Sequence, residues 1–204
     1  TELVRAIGEP LLLEDFGNPA NLYVILADGA DLELILIRES ELTLDLPCLV
    51  LLDKGGVEDA ARKRPPPAPR HVDAEQVRQL VYGFWHDVGH VTTALGRGNR
   101  LWAHGQLEEL RGVCLSLARL EAGVEADDEP YWKIDVVLAE ETVAALRGTV
   151  VPSDIGPMRG AALALVELFR QVAPGVAADH GIAYPEELDR QVTARLLALH
   201  GERG

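Results

Sequence analysis

Of the 204 residues, 33 are acidic and 19 basic, which leaves a formal charge of −14 at neutral pH and a pI near 4.8. A surplus of that sign repels phosphate backbones and anionic lipid, which argues against nucleic acid and the membrane surface as partners and for a cationic one. With 48% hydrophobic and 25% charged residues, the composition is that of a chain that folds around a core, and its length accommodates one large domain or two small ones.

Cys48 and Cys114 are too far apart for a clustered zinc site or a disulfide framework. No apolar run approaches the roughly 20 residues that span a bilayer, and Thr1–Pro10 has neither the basic head nor the apolar body of a signal peptide. A cytoplasmic protein in a reducing compartment is the expectation.

The first third reads as strand material. Leu22 to Ala27 is a short apolar run, Asp28-Gly29-Ala30-Asp31 carries an Asp-Gly turn signal, and Leu32 to Ile37 is a second run. Together they predict a β-hairpin. A third run, Cys48 to Leu52, is closed by Asp53-Lys54-Gly55-Gly56. Because the runs are nearly continuous rather than alternating, strands covered on both faces or packed against something else are expected. Glu58 to Arg70 holds Arg62-Lys63-Arg64 followed by Pro65-Pro66-Pro67-Ala68-Pro69, the composition of an extended linker.

Beyond the linker the period is helical. Asp73 is an N-cap candidate, and Val77, Leu80, Val81, Phe84, Trp85, Val88, Val91 and Leu95 follow at steps of three and four before Gly96 and Gly98. A second helix is expected from Asn99 to Glu121, antiparallel to the first across a short connection. Further helices are expected at Ala139–Leu146, Pro157–His180 and Pro185–Leu199. The fold class is therefore α+β: a small, partial antiparallel or mixed sheet over residues 1–60, a Pro-rich linker over 61–70, and a helical bundle over 71–204.

Two constellations carry candidate chemistry. His86-Asp87-Val88-Gly89-His90 sets two imidazoles at i and i+4 on one helical face, as zinc metalloproteases do, and looks like the His-Asp pair of HD-type metal phosphohydrolases. That family needs a further histidine on a preceding helix, and His71 lies too close, in the linker. The metal reading is accordingly set aside in favour of two exposed or hydrogen-bonded histidines. Asp31 and Glu33, two apart on a strand, project to one face. With Asp28 they would present three carboxylates to a divalent cation; the competing reading is a hairpin end made acidic for solubility.

The stretch from Tyr23 to Ile37, followed by Leu51-Leu52-Asp53-Lys54, resembles part of the aminoglycoside 6-adenylyltransferases, the streptomycin-modifying branch of the nucleotidyltransferases. Past the linker, Phe84-Trp85, Leu95, Arg97-Gly98, Ala103, Leu107 and Leu110-Arg111 are similar to the first two helices of that family's helical domain. Leu165, Phe169-Arg170, Gly181-Ile182-Ala183-Tyr184-Pro185 and Val192 are similar to its last two. The resemblance implies that Glu33 stands where the family's third catalytic carboxylate stands, with Asp28 and Asp31 as neighbouring metal ligands. It implies a cleft for a polycationic drug, for which Trp85, Trp102, Glu108, Tyr131 and Trp132 are the helical-side candidates, and a phosphate contact for Lys133. For Trp85 a place in the core is the stronger reading, for Lys133 a surface position, and for Asp127-Asp128-Glu129 a solvated loop. Family members also carry a Gly-Ser turn and an Asp-x-Asp pair that hold the triphosphate and magnesium, and neither occurs in this sequence. The expectation is a shortened or degenerate relative, inactive by itself, using Mg2+ and ATP only if its site is completed. The alternative of another class is a non-enzymatic binding module that dimerises through unpaired backbone along Leu22–Ile37.

Overall fold

In the computed structural model the described residues are 2–44, 48–65, 72–124, 130, 131 and 133–199. The chain divides into two compact units, Thr1–Ala68 and Pro69–Gly204, and the division falls inside the Pro-rich stretch.

The first unit opens with helix α1 (Glu2–Ile7), which leads into strands β1 (Pro10–Glu14), β2 (Asn21–Leu26) and β3 (Asp31–Ile35). They form one antiparallel sheet in the order β1-β2-β3. The hairpin between β2 and β3 forms where the Asp-Gly signal places it. Gly29 adopts φ +85°, a left-handed conformation that costs glycine little, while the Asp28 carboxylate accepts the Ala30 N–H at 3.0 Å. The register pairs Tyr23 with Glu33, Val24 with Leu32 and Ile25 with Asp31, so one face carries Val24, Leu26, Leu32 and Leu34. These pack with Leu13 and Val4 into a small core. Ile25 and Ile35, on the other face, are exposed, so the expectation of strands covered on both faces is corrected: their burial alternates, as in a half-buried antiparallel sheet.

Two further expectations are corrected. Cys48–Leu52 forms no strand, and Leu49, Leu51 and Leu52 are exposed. Pairing across a sheet, rather than local apolarity, makes a strand. The start of the linker is instead helix α2 (Val57–Lys63). The Asp53 carboxylate seeds it by accepting the N–H groups of Gly55, Val57 and Glu58 at 3.0–3.1 Å, bonds that hold its carboxyl below the usual range. Glu58 then pairs with Arg62 one turn on.

The second unit is helical: α3 (Ala74–Gly96), α4 (Arg100–Glu121), α5 (Ile134–Val137), α6 (Glu140–Gly148), α7 (Ile155–Asp179) and α8 (Glu186–Leu197). Asp73 caps α3 through a capping box: its carboxylate accepts the Gln76 N–H at 2.8 Å, and the Gln76 side chain accepts the Asp73 N–H at 2.9 Å. Gly98, at φ +66°, closes the turn after α3, and the Asn99 side chain caps α4 by accepting the Trp102 N–H. One continuous core results, with Phe84, Trp85 and Val88 from α3, Leu107, Leu110 and Leu117 from α4, Met158, Leu165 and Phe169 from α7 and Leu196 from α8. Helix α7 has the length and mean hydropathy of a membrane span, but more than half of its most apolar window is buried within the protein. Its apolar residues form the bundle's centre, which is the signature of a core helix.

Cysteine chemistry follows from this packing. Burial pushes the Cys114 thiol up to about 12, so it holds almost no thiolate at neutral pH, whereas Cys48 is exposed. Native protein should take up one equivalent of a thiol-specific reagent at pH 8 and two in denaturant; two fast equivalents from the native chain would show that the α4–α7 interface opens.

Candidate functional site

The hairpin presents its carboxylates on the sheet face opposite the small core. Asp31 and Glu33 share that face, and both are exposed. Glu33 is not a free side chain. The Asn21 amide donates to Glu33 Oε1 at 2.6 Å and to the Tyr23 hydroxyl oxygen at 3.0 Å, and register sets Tyr23 directly across from Glu33. Asn21 and Tyr23 thus orient the carboxylate that the family resemblance singles out. Sequence reasoning missed Asn21; with the hairpin register fixed, its position two residues before Tyr23 on the same face would have revealed it.

The three hairpin acids do not converge on one point. Asp28 is engaged in the turn with Ala30, and Glu33 is engaged with Asn21. Among the described residues, the one group of three potential ligand side chains whose donor atoms all lie within 4.8 Å of one another is His86, Asp87 and His90. A magnesium–triphosphate centre needs several carboxylate oxygens around one ion, and Asp28, Asp31 and Glu33 as they stand do not supply that arrangement.

On the helical side, the structure separates the candidates. Trp85 is fully buried, with its ring edge-on to both Phe84 and Phe169, so its place is in the core. Trp102 is half-buried on α4, with its ring 5.8 Å from that of His90 on α3. Six positions further along a helix of about 3.6 residues per turn, Glu108 faces another way. It pairs with the buried Arg111 guanidinium and accepts from the Tyr131 hydroxyl at 3.4 Å. Arg111 in turn donates to the side-chain and backbone oxygens of Thr149, at 2.8 and 2.9 Å. Partial burial and the neighbouring Glu108 charge hold the Tyr131 phenol above its ordinary value. Lys133 is exposed, adopts φ 54° and offers its carbonyl to the N–H groups of Val136 and Val137 at the start of α5. Trp132 and the run Asp127-Asp128-Glu129 lie outside the described residues, as does His71.

Glu108, Tyr131 and Arg111 therefore form one polar cluster at the α4 surface. A cationic ligand there would share Glu108 with Arg111. The pairing of Glu108 with Arg111 follows from their i, i+3 spacing; the burial of Arg111 against Thr149 is a tertiary fact that no local pattern carries.

Comparison with known proteins bears on both halves. None of the curated proteins compared with the chain matches it. Among solved structures, an aminoglycoside 6-adenyltransferase from Bacillus subtilis is similar, with a TM-score of 0.56 and 18% sequence identity over 96% of this chain and 80% of that one. At that identity the likeness concerns the fold: a small sheet followed by a helical bundle. The family model for streptomycin adenylyltransferase matches residues 9–198, a span that runs from β1 to the end of α8 and takes in the Glu33 hairpin and the Glu108 cluster alike. With fold and sequence pattern agreeing over nearly its whole length, the chain belongs to the streptomycin adenylyltransferase family.

Proposed function

We propose that this chain is an aminoglycoside adenylyltransferase-like protein that recognises a polycationic ligand but, as these 204 residues, does not transfer an adenylyl group. The observation that carries the reading is a mismatch. The family match runs over residues 9–198, yet the sequence has no Gly-Ser turn and no Asp-x-Asp pair, and Asp28, Asp31 and Glu33 do not gather around one point. Nucleotidyl transfer demands metal-bound carboxylates and backbone donors to offset the charge on a triphosphate. Glu33 alone does not meet that demand, so Mg2+ and ATP belong to this protein only where another segment or partner completes the centre.

Ligand recognition has separate support. The net charge of −14 attracts cations at long range, and the Glu108–Tyr131 pair offers a carboxylate beside an aromatic ring. Incubation with ATP, magnesium and streptomycin should give neither an adenylylated product nor released pyrophosphate by mass spectrometry. Calorimetry should detect streptomycin binding that weakens with added salt and falls about two- to five-fold in Glu108→Gln, the scale of one partly exposed ion pair. Adenylylated drug would overturn the inactivity, and no detectable binding would overturn the ligand class.

A second reading rests on the sheet. Strand β3 lies at its edge, and Ile35, Leu36 and Ile37 at its end are exposed. An edge of this kind pairs readily with a second copy. Because β2 lies between β1 and β3, the backbone available for that pairing belongs to β3 and not to the whole of Leu22–Ile37. Mass in solution decides: a strict monomer at all concentrations removes the dimeric module.

A further inference from the structure

We propose that His86, Asp87 and His90 bind a divalent transition-metal ion of the zinc class on the outer face of α3. The sequence alone favours two unconnected histidines; the structure assembles them. Phe84, Trp85 and Val88 are fully buried, which fixes the rotation of α3 and turns residues 86, 87 and 90 away from the core. The two imidazoles lie one turn apart with ring centroids 4.2 Å from each other. Asp87 Oδ1 lies 3.0 Å from His86 Nδ1 and 4.0 Å from His90 Nδ1. Donors bound to one zinc ion at about 2.0–2.1 Å stand roughly 3–3.5 Å apart, so His86 and Asp87 already have a ligating separation. His90 Nδ1 needs to close on Asp87 Oδ1 by about half an ångström or more, and the three donor atoms already lie within 4.8 Å of one another, a gap within the reach of side-chain rotation.

The surroundings favour occupation by such an ion. Helix α3 is 23 residues long and its inner face is locked into the core, so the backbone carrying the three donors is rigid before any ion arrives. On the neighbouring helix α4, the Trp102 ring flanks the His90 imidazole, and Gln106 Oε1 stands 3.2 Å from His90 Nδ1, a hydrogen bond that ligation through that nitrogen would exchange for the metal. Two imidazoles with one carboxylate suit zinc, cobalt, nickel or copper, whereas magnesium and calcium prefer oxygen donors throughout. Three protein donors leave at least one coordination position to solvent or to an external donor. The site differs from an HD-type hydrolase centre, because among the described residues no other His, Cys, Asp or Glu joins the group. It draws on no residue of the Glu33 hairpin and is independent of the function proposed above.

The test is a calorimetric titration of the full chain with zinc chloride in excess magnesium, paired with cobalt(II) absorption spectroscopy. One equivalent of zinc should bind despite the magnesium, and cobalt should give the d–d bands of a nitrogen-ligated ion. Binding should weaken at least about ten-fold in His86→Ala and in His90→Ala and less in Asp87→Asn, and remain unchanged in His104→Ala. These surface variants should keep the far-ultraviolet dichroism of the parent, so a loss reports on ligation. Failure to bind one equivalent of zinc overturns the proposal, as does binding that survives the double replacement of His86 and His90.

Discussion

Replacing Phe169 with alanine should lower the stability of the helical unit by about 3–5 kcal/mol, the range for truncating a buried aromatic. Phe169 is fully buried on α7. Its ring lies parallel to that of Phe84, with centroids 3.7 Å apart and planes within 4°, and meets the Trp85 indole edge-on at 5.5 Å. Tyr184, beyond α7, flanks it at 6.2 Å. Removing the ring deletes contacts to three aromatic side chains at once. It also leaves a hole that rigid helices close only in part. Total stabilities of about 5–15 kcal/mol make such a loss a large fraction of the whole. Urea denaturation followed by tryptophan emission should show the midpoint falling with an unchanged slope. Phe169→Leu, which restores most of the volume, should recover most of the loss. A deficit below about 1 kcal/mol in the alanine variant would mean that the four-ring cluster is not a keystone of the bundle.

How much of this was legible beforehand divides along physical lines. The helices of the second unit are written in the sequence because their signals are local. Asp73 with Gln76 is a cap that depends on three consecutive steps of chain, and the stripe from Val77 to Leu95 reports burial directly. Even so, not every leucine of the bundle lies inside: Leu101, on the first turn of α4, is exposed. The hairpin was legible for the same reason, since Asp28 and Gly29 make their turn with neighbours. Helix α1 and strand β1, by contrast, are too short to show a period. The run Cys48–Leu52 looks like a strand and is none, because strand formation is decided by a partner far along the chain.

The candidate sites divide in the same way. Glu33 was found by its place after the turn, but its partner Asn21 lies 12 residues away, and only the register brings the two together. His86, Asp87 and His90 were visible as a motif, yet their relation to Gln106 depends on the packing of α3 against α4. Glu108 and Tyr131, 23 residues apart, meet only in the fold, and the burial of Arg111 against Thr149 leaves no local mark. Chemistry confined to one helical turn is therefore readable from sequence, and chemistry shared between two elements is readable only after folding.

Asp189 supplies the strongest case of the second kind, and replacing it with alanine should cost about 2–4 kcal/mol, since it strands several polar partners at once. The residue sits on α8, nearly buried. The Arg170 guanidinium on α7 donates to both its oxygens, at 2.5–3.2 Å. The Tyr184 hydroxyl donates at 2.9 Å and the Thr193 hydroxyl at 3.1 Å. Burial alone would raise the Asp189 carboxyl, but the bonds from Arg170, Tyr184 and Thr193 outweigh it and hold the group below its ordinary value. Burial and the Asp189 charge push the Tyr184 phenol upward, so it stays a donor. Because the folded carboxyl is the stronger acid, its contribution is complete above the unfolded value of about 3.9 and is lost as pH falls through the folded one. Asp189→Asn preserves the shape and removes the charge, so the stability gap between parent and variant should be flat from about pH 5 to 8 and should narrow steadily below about pH 4. A gap that persists undiminished at acid pH would assign the cost to packing and take the charge of Asp189 out of the account.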